Sequence, residues 1–145
     1  MRILAIDPGG TTGWALADED HLDLVTSGQA AQFEFCQMAE EHAAGSFRAP
    51  VDVIVCESYT VTPATIKLTR EYAALEIIGT LRYLAQRDKR KFKLQTPAAA
   101  KRFMTDARLR NLGWWQPGKD HARDALRHLG LYLAEERNNL EVLSA

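Results

Sequence analysis

Cysteine is nearly absent: the 145-residue chain has 2, Cys36 and Cys56, with no Cys-x-x-Cys pair. That excludes a disulfide framework or a zinc knuckle, and leaves Cys56, inside an apolar run, as a small buried hydrophobe. Long apolar stretches are missing as well. None approaches the roughly 18 residues that span a bilayer, and the N-terminus lacks a basic stretch followed by an apolar one. The expectation is a soluble, cytoplasmic protein with no membrane partner. No serine or cysteine stands in a recognisable triad context, so no covalent nucleophile is expected. Nor is there an excess of charge of one sign, the net charge being −1, which taken alone argues against a nucleic-acid partner. The distribution argues the other way: residues 1–57 carry 2 Lys/Arg against 10 Asp/Glu, and residues 58–145 carry 16 against 9. Asymmetry of this kind can mark a polyanion-binding face.

What is present, 46% hydrophobic and 26% charged residues, suits a single globular domain over 1–145 with a sizeable core. Strands are expected near 2–7, 12–18 and 22–28, a helix near 30–45 and a strand at 51–57. A long helix over 63–87 would begin at Thr62-Pro63 as N-cap and first-turn proline. A short strand at 91–96, a helix near 98–106, a polar and aromatic loop, and a last helix near 119–136 complete the order. The result is an α/β fold: a mixed five-stranded sheet, an antiparallel meander of three strands followed by parallel additions, with helices on both faces. The first strand lies centrally, with the 51–57 strand parallel beside it, so the C-terminal ends of both open on one edge.

That edge collects chemistry. Asp7 ends one apolar run just before Pro8-Gly9-Gly10, and Glu57 ends another, Val53-Ile54-Val55-Cys56. A bare acid at the tip of a buried strand is costly unless something positive compensates it, and two of them together suggest one metal site. A third contribution follows Pro117-Gly118, where helical spacing places Asp120, His121 and Asp124 on one side of the last helix.

The segments IDPGGTTGWAL, VIVCES, TIKLTREYAAL, TPAAAKRFMT and HARDAL, in that order and covering nearly the whole chain, resemble the RuvC-type Holliday-junction resolvases of the RNase H-like superfamily. The resemblance implies a metal-dependent endonuclease acting on four-way DNA junctions, with Asp7, Glu57, His121 and Asp124 as metal ligands. Many members carry an acid where His121 stands, which leaves His121 and the adjacent Asp120 both open as the ligand. Oxygen donors with one imidazole suit Mg²⁺ or Mn²⁺. Two such ions, roughly 3.5–4 Å apart, can activate a water and stabilise a leaving 3′ oxygen. Asp7 would bridge the ions, Glu57 would hold one, and His121 and Asp124 the other. Lys101 resembles the family's basic residue beside the site.

Candidate DNA contacts are Tyr59, Lys67, Arg70, Lys101, Lys119 and Arg123. Tyr59 could stack on an unpaired base or pack at the core edge. Trp114 and Trp115, between Arg108, Arg110 and Lys119, could belong to the DNA surface or form a hydrophobic lid. The 63–87 helix carries two apolar stripes on nearly opposite sides. Ala73, Ile77, Ile78, Leu81, Leu84 and Ala85 would face the sheet, while Ala64, Leu68, Tyr72, Leu75 and Gly79 would face a second copy in a two-fold homodimer, which the resemblance connects with paired nicks. Two rivals share features with this reading. A nuclease for flaps, forks and other branched DNA would have the same metal site. An actin-like or sugar-kinase-like ATPase would share the first phosphate loop over residues 7–13 but needs two large subdomains, more than 145 residues supply.

Overall fold

The computed structural model describes residues 1–43, 51–63 and 72–145. Its centre is a five-stranded sheet built from β1 (Arg2–Asp7), β2 (Thr11–Asp18), β3 (His21–Ala31), β4 (Val53–Glu57) and β5 (Lys91–Gln95), in the order β3-β2-β1-β4-β5. The β1–β2 and β2–β3 pairs are antiparallel, whereas β4 joins β1, and β5 joins β4, in parallel. The helices among the described residues, interspersed with the strands, are α1 (Gln32–Ala43), α2 (Ala73–Arg87), α3 (Pro97–Phe103), α4 (Asp106–Asn111), α5 (Asp120–Arg137) and α6 (Leu140–Ser144). The mixed sheet and its connections agree with the expected architecture.

Strand alternation divides the core into two layers. Leu4 and Ile6 of β1, Ile54 and Cys56 of β4, and Phe92 and Leu94 of β5 point to the layer covered by α1 and α2. Ile3 and Ala5 of β1, Ala15 and Ala17 of β2, and Val53 and Val55 of β4 point to the opposite layer, which α5 fills with Ala125, Leu126, Leu129, Tyr132 and Leu133. By the same parity Asp7, Gly13, Glu57 and Gln95 fall on the α5 side. The register then places the strand ends together: Ile6 pairs with Cys56, so Asp7 and Glu57 follow side by side, and Glu57 pairs with Gln95.

On α2 the first stripe behaves as expected, with Ala73, Ile77, Ile78, Leu81, Leu84 and Ala85 all buried. On the second stripe Tyr72 is 69% and Leu75 38% exposed, and a Cβ added at Gly79 would meet nothing within 4 Å among the described residues. The expected 63–87 helix is not continuous: α2 starts at Ala73, with Tyr72 outside it at the N-cap position, while Ala64 and Leu68 lie outside the described residues.

Three boundaries depart from the expectation, each for a local reason. β3 continues to Ala31, because β2 offers partners as far as Thr11 and Thr11 pairs with Ala31. The single helix expected over 98–106 is two: α3, capped by Thr96, ends at Phe103, and Thr105 accepts from the Arg108 amide at 3.3 Å to cap α4. Beyond α5 the chain turns at Asn138, whose left-handed backbone stops the helix, and the Asn139 side chain accepts from the Val142 amide at 3.1 Å to start α6. Cys36 and Cys56 are unpaired thiols, and Cys56 is fully buried. Among the described residues no helix is long and apolar enough to cross a membrane.

Candidate active site

The turn after β1 is tied by Thr12, a fully buried residue whose hydroxyl donates to the Gly9 carbonyl at 2.9 Å. This holds Asp7 at the end of β1, opposite Gly13 of β2. Gly13 is required by a neighbour: a Cβ there would lie 1.9 Å from the carbonyl oxygen of His121. Only a residue without a side chain lets the first turn of α5 rest directly on β2. On β3, Gln29 is the register partner of Gly13, and its side-chain oxygen accepts from the backbone amides of His121 at 3.0 Å and Ala122 at 3.3 Å. Lys119, at the N-cap position, makes no side-chain cap of its own. Gln29 therefore caps α5 from another element, satisfying amides that a helix start otherwise leaves unpaired.

So seated, α5 presents one face to the strand ends. His121 Nδ1 lies 2.8 Å from Asp7 Oδ2. One turn on, Asp124 accepts from Lys101 Nζ at 3.0 Å and from Arg127 Nε at 3.1 Å. A further turn on, His128 Nε2 lies 2.8 Å from Glu57 Oε2. Asp120 points elsewhere: it is ion-paired with Arg123 and 80% exposed. Of the two neighbours left open by the sequence, His121 is the one placed against Asp7.

Asp7 is held well above the ordinary carboxylate range, pushed up to about 6. Burial is the main cause, and the charges of Glu57 and Asp124 add to it, while the hydrogen bond and charge of His121 oppose them. Lys101 is shifted upward, first by its hydrogen bond to Asp124 and then by the charges of Asp124, Glu57 and Asp7. The three acids and the lysine thus share one electrostatic neighbourhood. Among the described residues, no group of three or more His, Cys, Asp or Glu side chains is arranged as it stands to hold a metal ion. Each acid instead leans on a nitrogen: Asp7 on His121, Glu57 on His128, and Asp124 on Lys101 and Arg127. The donor chemistry, carboxylate oxygens with an imidazole and a buried acid short of positive charge, suits a hard dication.

The other candidates divide. Lys119 is exposed beside the site, and Lys101 is more than half exposed while paired with Asp124. Arg123 is committed to the fold: it pairs with Asp120, donates to the Gln116 carbonyl at 2.6 Å and stacks over Trp115. Tyr59 is half-buried and packs against the α2-side core. Trp114 is buried in the α5-side core, and Trp115 packs against it between Arg110 and Arg123. Lys67 and Arg70 lie outside the described residues. The sequence reading missed Gly13, Gln29, Gln95, Arg127 and His128. Of these only His128 carries a local signal, being four residues after Asp124 and so on the same helix face.

No family model and no curated protein matches the sequence, but solved structures do. A T. thermophilus RuvC in complex with a Holliday junction substrate superposes with a TM-score of 0.65 at 14% identity, over 95% of this chain and 96% of that one. Another Thermus thermophilus RuvC structure gives 0.63 at 14% identity, over 96% and 98%. The fowlpox virus Holliday junction resolvase gives 0.58 at 13% identity, over 92% and 98%. The chain has the RNase H-like fold in the form these resolvases share.

Proposed function

We propose that this protein is a divalent-metal-dependent endonuclease that cleaves four-way DNA junctions. The observation that carries the reading is the convergence of Asp7, Glu57, His121, Asp124 and Lys101, from three strand-end or helix elements and α3, on one edge of the sheet. The likeness to junction resolvases over nearly the full length of both chains supports the choice of substrate. Asp7, Glu57, Asp124 and His121 would hold Mg²⁺ or Mn²⁺, two ions per site, in exchange for the solvent-facing contact between Asp7 and His121. Bound metal supplies an activated water and a counter-charge for the leaving 3′ oxygen. Lys101, already drawn in by the acids, would face the scissile phosphate, and Lys119 would meet the backbone beside it. In the hydrolysis, a P–O bond to water forms as the P–O bond to the 3′ oxygen breaks, and the 3′ oxygen leaves with a proton.

A homodimer through α2 fits the same reading. Tyr72, Leu75 and Gly79 present an apolar strip to solvent, and Phe33 of α1 and Tyr83 extend it. Two sites related by a two-fold axis would nick a junction in pairs. Labelled four-way junction, fork, flap, duplex and single-stranded DNA, each incubated with Mg²⁺ or Mn²⁺ and the nicks mapped, test the proposal. Paired symmetric nicks in the junction are expected. Preferential single nicks in flaps or forks would make the protein a branched-DNA nuclease of another kind, and no cleavage in either metal would refute the nuclease reading.

A further inference from the structure

His128 is 1% exposed, deep in the α5 face, and both of its ring nitrogens are engaged. Nε2 meets Glu57 Oε2 at 2.8 Å, and Nδ1 meets the Gln95 side-chain oxygen at 3.0 Å. A carboxylate can only accept, so Nε2 carries the proton and donates to Glu57. Gln95 is buried too, and its amide nitrogen is without a hydrogen-bond partner among the described residues. Turning that amide about its terminal bond lets the nitrogen donate to Nδ1, which fixes the same tautomer and removes an orphaned buried donor. Gln95, His128 and Glu57 then form a directed chain, Gln95 to His128 to Glu57, spanning β5, α5 and β4. It engages one carboxylate oxygen of Glu57 and leaves the other unclaimed by His128.

From this arrangement we infer that His128 is a positioning residue for Glu57: it holds one oxygen from within the core and so leaves the other for the metal that Glu57 would help to hold. The inference rests on the metal-site reading above and deepens it. His128 itself is sealed away from DNA and from the reacting phosphate, and acts only through the carboxylate. Groups that orient a ligand in this way typically change metal affinity by roughly 10–100-fold when removed.

The test is Mn²⁺ binding without DNA, measured by calorimetry on the folded protein well below its melting temperature. In His128→Gln the amide nitrogen lies at the same number of bonds from the backbone as Nε2 and can still donate to Glu57. In His128→Asn it stands where Nδ1 was and cannot. His128→Leu removes both contacts. The leucine variant should bind Mn²⁺ roughly 10–100-fold more weakly, glutamine should recover most of the loss, and asparagine should not. The leucine effect should also vanish in a Glu57→Gln background, because His128 has no route to the metal except through that carboxylate. Should the leucine variant fail to fold, the Gln and Asn variants decide the matter. Equal Mn²⁺ affinity in those two, or wild-type affinity in the leucine variant, overturns the inference while leaving the metal site standing. A wild-type protein that takes up no Mn²⁺ overturns the metal-site reading and this inference with it.

Discussion

The site contains two carboxylate–imidazole contacts of equal length and opposite surroundings. His121 meets Asp7 at 2.8 Å with the histidine side chain 47% exposed; His128 meets Glu57 at the same distance with its ring 1% exposed. The first contact is made across the mouth of the sheet edge, at the first turn of a helix. The second is made inside the core and backed by Gln95. Equal hydrogen-bond geometry therefore does not imply equal role. An open pair can trade its partner for a cation arriving from solvent at little packing cost, whereas a sealed pair would expose an unpaired buried group if it broke. In this account the Asp7–His121 pair is the exchangeable part of the site and the Glu57–His128 pair its fixed frame.

The largest effect is expected from breaking the open pair at its acid. Asp7→Asn should abolish cleavage, a loss beyond the roughly 10–100-fold expected for an outer orienting residue, while junction binding remains measurable by gel shift. The same substitution should stabilise the metal-free fold. Because folding lifts Asp7 from 3.8 to about 6, its ionised form opposes folding. The wild-type protein in chelator should lose stability as pH rises from about 4 to about 6, by roughly 3 kcal/mol at most, and stay lower above that interval. In Asp7→Asn this step should be missing from urea melts over the same pH range.

Second in size is Gly13→Ala, which attacks the seating of the open pair. The added carbon would sit 1.9 Å from the His121 carbonyl oxygen, so backbone must move rather than a flexible side chain. Destabilisation at or above the roughly 1–3 kcal/mol of ordinary overpacking is expected, with cleavage lost in the folded fraction. Gln29→Ala removes the cap without adding bulk. It should cost roughly 0.5–2 kcal/mol, as helix caps do, and lower cleavage at subsaturating Mg²⁺ more than at saturating Mg²⁺. The smallest effect belongs to Asp120→Asn. Its carboxylate faces solvent and Arg123 rather than the acids, and cleavage should stay close to wild type.

These residues also show how much of the site was legible in the sequence. Asp7 and Glu57 could be found because each ends a β-branched or apolar run, and strand parity with a parallel register is enough to put them on one face and one edge. The sheet-facing stripe of α2 was readable from helical spacing, and its residues from Ala73 to Ala85 are buried. Choosing between Asp120 and His121 was not possible from spacing, because both lie in the first turn and the choice depends on how α5 is rotated against β2. That rotation is set by Gly13 and Gln29, about a hundred residues away in sequence. His128 shares the helical face of Asp124, yet its role depends on Glu57 and Gln95, 71 and 33 residues distant, whose side chains become its partners only once the sheet has formed. The break between α3 and α4 was hidden because an apolar pattern continues across Thr105, which acts as a cap only by turning its hydroxyl onto the Arg108 amide.

The contrast between an exchangeable and a fixed pair is tested most directly by following the imidazole nitrogen resonances of His121 and His128 by NMR as Mg²⁺ is added. The His121 Nδ1 signal should move over the concentration range in which cleavage reaches its plateau and keep its place in Asp7→Asn, while His128 keeps its tautomer and its bond to Glu57 throughout. A His121 signal unchanged across that range, or a His128 ring that loses its Nε2 proton as the metal binds, would contradict that contrast.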